Sequence, residues 1–167
     1  MIAIRTTLRY VGDAAASPGD MERAAVQALE DLGAKWHGDY LPLHFEPSAF
    51  NRYGFQARSA RYTKRKVARY GTSRPMVWTG QLERAATSSA AVAATSAGVA
   101  VRFSSGARAL NFSSRRNYPD LRAELTAVAP EEPERFARYL DARVRERLTD
   151  IAANRAKQSA ATPLWSM

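Results

Sequence analysis

Residues 84–103, Arg84-Ala85-Ala86-Thr87-Ser88-Ser89-Ala90-Ala91-Val92-Ala93-Ala94-Thr95-Ser96-Ala97-Gly98-Val99-Ala100-Val101-Arg102-Phe103, decide the fold class. Alternation of Ala, Thr, Ser and Val up to Thr95, a Ser96-Ala97-Gly98 turn and a second alternating run to Phe103 predict a β-hairpin, because a strand repeats its facing every two residues. Working outward, Ala109 to Phe112 and Leu121 to Val128 read as two more strands. Residues 2–11 carry Ile2, Ile4, Thr6, Leu8 and Tyr10 on one side and read as a half-buried strand.

Two helices flank these strands. After a turn through Ser17-Pro18-Gly19-Asp20, with Asp20 as N-cap, the residues Met21, Ala24, Ala25, Ala28, Leu29, Leu32 and Trp36 recur at spacings of three and four, which predicts an amphipathic helix to about residue 37. Near the other end, Pro130, Glu131, Glu132, Pro133 and Glu134 suit a first helical turn, where proline needs no N–H partner and acids oppose the helix dipole. The stripe Phe136, Leu140, Val144, Leu148 and Ile151 follows as its core face. The expected architecture is an α+β single domain over residues 1–156, with an antiparallel β-sheet packed against two helices. A chain of 167 residues is long enough to bury a proper core in one domain. Residues 157–167 read as a C-terminal tail, polar at first and then apolar at Pro163-Leu164-Trp165.

Between Gly38 and Pro75 periodicity is weak, and Pro42, Pro47, Gly54 and Gly71 punctuate the chain. Residues 38–75 are therefore expected to form an extended basic loop region, with a short basic helix near 59–69. The positive charge concentrates there. Residues 47–82 hold no Asp or Glu, while Arg52, Arg58, Arg61, Lys64, Arg65, Lys66, Arg69 and Arg74 supply eight positive charges. Removing those eight from the net charge of +9 leaves the rest of the chain at +1, so the basic stretch is a patch expected to face an acidic partner or nucleic acid. Arginine interleaved with tyrosine over 58–70 suits phosphate gripping and base stacking, and without Asn or Gln at spaced positions such contact would be sequence-independent.

Catalysis and cofactors are not expected. The chain has no cysteine, which removes disulfides, thiolate metal sites and cysteine nucleophiles together. Its two histidines, His37 and His44, are seven apart, a spacing that fits neither a helical pair nor a common zinc motif, and they are expected to bond backbone in loops. No G-x-S-x-G elbow or glycine-rich phosphate loop occurs, and helix initiation accounts for the Glu131-Glu132-Glu134 cluster. No run of apolar residues suits a membrane helix or a signal peptide, so synthesis in the cytoplasm is expected. Trp36, Trp78 and Trp165 are expected to anchor the core or an interface, with Trp165 at an interface.

A family resemblance spans residues 44–82. His44-Phe45, Phe50-Asn51-Arg52-Tyr53-Gly54-Phe55, Arg58-Ser59, Tyr62, Lys64-Arg65-Lys66, Gly71 and Pro75-Met76-Val77-Trp78-Thr79-Gly80-Gln81-Leu82 resemble the central signature of tailed-bacteriophage morphogenesis proteins. These are small neck, tail-completion and tail-terminator proteins, broadly the HK97 gp10-like group. Phe55 stands where that pattern has tyrosine, Met76 where it has leucine, and Gln81 where it has arginine or lysine.

The resemblance implies a virion protein without catalytic activity, assembling at the head-to-tail junction as a homo-oligomeric ring, hexameric or dodecameric. Its implied partners are neighbouring neck, connector or tail-tube proteins and packaged DNA met without sequence preference, with no membrane. Tyr53, Phe55, Tyr62, Leu164 and Trp165 become the expected inter-subunit contacts, beside the basic patch. The other reading is a free sequence-independent nucleic-acid-binding protein that uses the patch at 52–74.

Overall fold

A computed structural model describes residues 2–5, 16–103 and 120–161, and side chains within 16–103 and 120–158. The fold is α+β. The hairpin forms as expected: β2 (Ala90–Thr95) and β3 (Gly98–Phe103) pair antiparallel, with Thr95 opposite Gly98 and Val92 opposite Val101. β1 (Ile2–Arg5) takes the other edge of β3, so the strand order is β1-β3-β2. Val99 and Val101 are buried on one face of the sheet, with Val92 and Phe103 packed beside them.

That face is covered by α1 (Pro18–Lys35). Ser17, not Asp20, is the N-cap: its hydroxyl accepts from the Asp20 N–H at 3.2 Å, and the Asp20 carboxylate accepts from the Ser17 N–H at 2.9 Å, closing a capping box. Ala24, Ala25, Ala28, Leu29 and Leu32 are buried. Gly33 lets the helix lie close on the sheet, since a Cβ there would stand 2.7 Å from methyls of both Val92 and Val99. The chain continues past Lys35 as one wide π turn (Trp36–Tyr40) and a 3-10 segment (Leu41–Phe45).

On its other side α1 packs against α6 (Glu132–Ala161). The molecule is therefore layered sheet, α1, α6, and α6 rests on α1 rather than directly on the sheet. Phe136 and Leu140 of the expected stripe are buried and Val144 packs against the core, whereas Leu148 and Ile151 are half-exposed, along the stretch where α6 is tied to α1 by the ion pairs Arg147–Asp31 and Arg155–Asp20. The helix also runs to Ala161, so residues 157–161 of the expected tail are helical. Alanine, the strongest helix former, recurs through this last stretch and favours its continuation.

Three further expectations are corrected. Residues 121–128 are not a strand: Asp120 caps α5 (Leu121–Leu125), accepting from the N–H groups of Arg122 and Ala123, and Leu125 is buried. Alternation does not begin at Arg84, because α4 (Gln81–Thr87) buries Leu82 and Ala86, four residues apart on one helical face. Residues 38–75 are not an open loop. Beyond the π and 3-10 turns they hold α2 (Ala49–Arg52) and α3 (Ala60–Tyr70), and Leu41, Phe45, Ala49 and Phe55 enter the core. The short basic helix falls where it is expected, capped by the Ser59 hydroxyl and ended by Gly71 at φ 69°. The expected strand at 109–112 lies outside the described residues.

Candidate basic interface

The eight cations of the acid-free stretch divide into two sets. Arg52, Arg58, Lys66 and Arg74 are engaged within the protein. Arg52 reaches Glu132 at 3.3 Å and Glu131 at 3.4 Å. Glu132 is 0% exposed, and its two oxygens also accept from the Tyr53 hydroxyl at 2.9 Å and the Ala129 N–H at 3.1 Å. Arg58 donates to both oxygens of Glu124, at 2.8 and 2.6 Å, in a pair only 14% and 8% exposed. Arg74 pairs with Glu83 and donates to the Phe45 carbonyl at 3.0 Å. Lys66 is 5% exposed, bonds the Arg74 carbonyl and lies over the Trp78 ring at 5.2 Å. Of these four only Lys66 is buried, while Arg52, Arg58 and Arg74 are partly exposed, and all four spend their charges within the protein, fastening α2 and α3 to the rest of the molecule. Their acidic partners lie outside residues 47–82, three of them on α5, α6 and the turn before α6.

Arg61, Lys64, Arg65 and Arg69 form the other set. All four are exposed on α3, at spacings of three and four that put them on one side of the helix. None of them has a carboxylate partner among the described residues. Arg69 lies over its neighbour Tyr70, with 5.4 Å to the ring centre. The candidate interface is thus a row of four cations whose helix is clamped from behind by Lys66 and, at its N-terminal approach, by the Arg58–Glu124 pair. Pinning a cationic helix in this way lowers the entropy lost when an anionic surface binds it.

The expected inter-subunit aromatics are placed differently from one another. Phe55 packs into the core of its own chain, directly after the turn that Gly54 makes at φ 63°, so little of its ring is left for a subunit contact. Tyr53 stacks on His44 with ring centres 3.9 Å apart, and burial together with its bond to Glu132 pushes its phenol well above the usual range. Tyr62 is half-buried and lines a groove of about 450 Å³ between α2, α3 and residues 73–78. Leu164 and Trp165 lie outside the described residues.

Both histidines bond backbone carbonyls: His37 meets Ala86 at 2.9 Å, and His44 lies between Tyr40 at 3.1 Å and Ala127 at 2.9 Å. Among the described residues no three of His, Asp and Glu are grouped to hold a metal ion, and no helix is long and apolar enough to cross a membrane.

Fold and site together define a small α+β protein that presents one clamped cationic helix. Comparison of the chain with protein-family models, with curated proteins and with solved structures finds no match.

Proposed function

We propose that the chain is a structural subunit of a tailed-phage-type particle at the head-to-tail junction, of the neck, tail-completion or tail-terminator kind, and that it joins a partner through the exposed face of α3. The observation that carries this reading is the division of the basic residues. Four cations are spent holding α2 and α3 in place, and four are left facing solvent in a row. A rigid cationic ridge suits an acidic surface on a neighbouring ring, and electrostatic complementarity of that kind sets register and association rate. The motifs at residues 44–82 support the same reading through their resemblance to the phage proteins. Assembly as a hexameric or dodecameric ring and location in the virion belong to it, and no catalytic step does.

The same row favours the second reading, a sequence-independent nucleic-acid-binding protein. If Arg61, Lys64, Arg65 and Arg69 each neutralise one phosphate, log K for duplex DNA falls with log salt at a slope of roughly −3.6. Electrophoretic shift across a salt series, run beside sedimentation of the same sample, separates the two. A monomer with that slope favours nucleic acid. A ring, or an assembly that forms only with a partner, without tight DNA binding favours the structural subunit.

A further inference from the structure

Behind the cation row, the groove between α2, α3 and residues 73–78 has an apolar floor of Phe55 and Met76, with Phe50 and Trp78 half-exposed at its sides. Its volume of about 450 Å³ falls within the range of ligand sites, about 300–1,000 Å³. Lys66 reaches into its wall. That ammonium is buried and bonded to the Arg74 carbonyl and the Trp78 face, and among the described residues no carboxylate pairs with it. The charges that act on it, on Arg58 and Arg74, have the same sign and already have acids of their own in Glu124 and Glu83. Burial first, and then those two guanidinium groups, hold the Lys66 pKa below its usual value. A buried charge without a counter-ion is the exception in folded proteins, and a matching anion brought by a ligand removes the mismatch.

We propose that the groove binds a carboxylate carried beside an apolar side chain, the Asp or Glu of an extended segment of a partner protein, with the acid meeting Lys66 and the apolar group lying on Phe55 and Met76. Only the source of that segment rests on the structural-subunit reading. A carboxylate fits better than a phosphate. One ammonium supplies the unmatched charge, and Arg58 already spends one terminal nitrogen on Glu124 and the other on the Gln56 carbonyl. The hydroxyls of Thr63 and Ser73, which also line the groove, add neutral donors suited to a single charge.

The test titrates the full chain, with nitrogen-15 labelling, against 4-phenylbutyrate, neutral 4-phenylbutanol and phenyl phosphate, followed at the Trp78 indole N–H. Saturable shifts with 4-phenylbutyrate are expected, at least about tenfold tighter than with the alcohol. Lys66→Met keeps the apolar stem and should erase the preference for the acid while still binding the alcohol. If that variant does not fold, the acid-to-alcohol ratio on the unaltered protein decides alone. Trp78 signals unmoved by millimolar 4-phenylbutyrate, equal binding of acid and alcohol, or tighter binding of phenyl phosphate would each overturn the proposal. Because the probes are small molecules, these outcomes do not depend on whether the chain belongs to a particle.

Discussion

Asp20 shows how much a single side chain can hold. Its carboxylate is fully buried, bonded by the Ser17 hydroxyl and N–H, and met by Arg23 and by Arg155 at 2.5 Å, so one residue ties the start of α1 to the far part of α6. The Ser17 bonds, and after them the two arginines, hold its pKa down to about 2 from an ordinary 3.8. The folded protein therefore binds that proton less readily than the unfolded chain does. Its contribution to stability is complete above about pH 4 and is lost as pH falls toward 2. Thermal melts should show Asp20→Asn less stable than the parent at pH 7, with the gap closing toward pH 2; a gap that persists there would place the acid sensitivity elsewhere. Gly33 gives a second expectation at this scale. Alanine there gains about 1 kcal/mol of helix propensity, but its Cβ meets stiff valine methyls at 2.7 Å, and overpacking of that kind costs about 1–3 kcal/mol. Gly33→Ala is expected to lower Tm, and a raised Tm would mean that α1 can lift from the sheet freely.

Elements were legible where one period governs them and opaque where it changes. α1 and the β2–β3 hairpin follow spacings of 3.6 and 2, so both are readable from residues alone. Leu41, Phe45 and Ala49 also repeat every four residues, yet Pro42, Pro47 and the shift from α to π to 3-10 winding hide that repeat among loop signals. The two sets of cations could not be separated in advance, because nothing near Arg58 distinguishes it from Arg61. Glu124, which buries Arg58, lies 66 positions away, and Glu132, which holds Arg52, lies 80 away. This division gives a paired prediction. Arg61, Lys64, Arg65 and Arg69, all changed to Glu, should leave Tm nearly unaltered, since exposed substitutions are usually worth within about 0.5 kcal/mol each. Glu132→Ala should cost about 2–4 kcal/mol in denaturant unfolding, because it strips partners from Arg52, the Tyr53 hydroxyl and the Ala129 N–H. Equal losses in the two variants would mean that α3 is held by its outward charges.

At the scale of the whole molecule, a sheet, one helix sandwiched against it and a second, longer helix make a scaffold to which the short helices between residues 49 and 87 are attached. Folding stability rests on the buried side of each element, and the outward row on α3 contributes little to it. A protein built in this way can change the charge of its exposed helix face without changing its fold, as the proposed joining role requires. The most direct measurement is electron microscopy of particles made by a genome that encodes the chain, with and without the four α3 substitutions to Glu. The unaltered chain should be found at the head-to-tail junction, and the variant, folded to the same Tm, should leave heads and tails separate. Normal joined particles from the variant, or particles that lack the chain altogether, would contradict a joining role for α3.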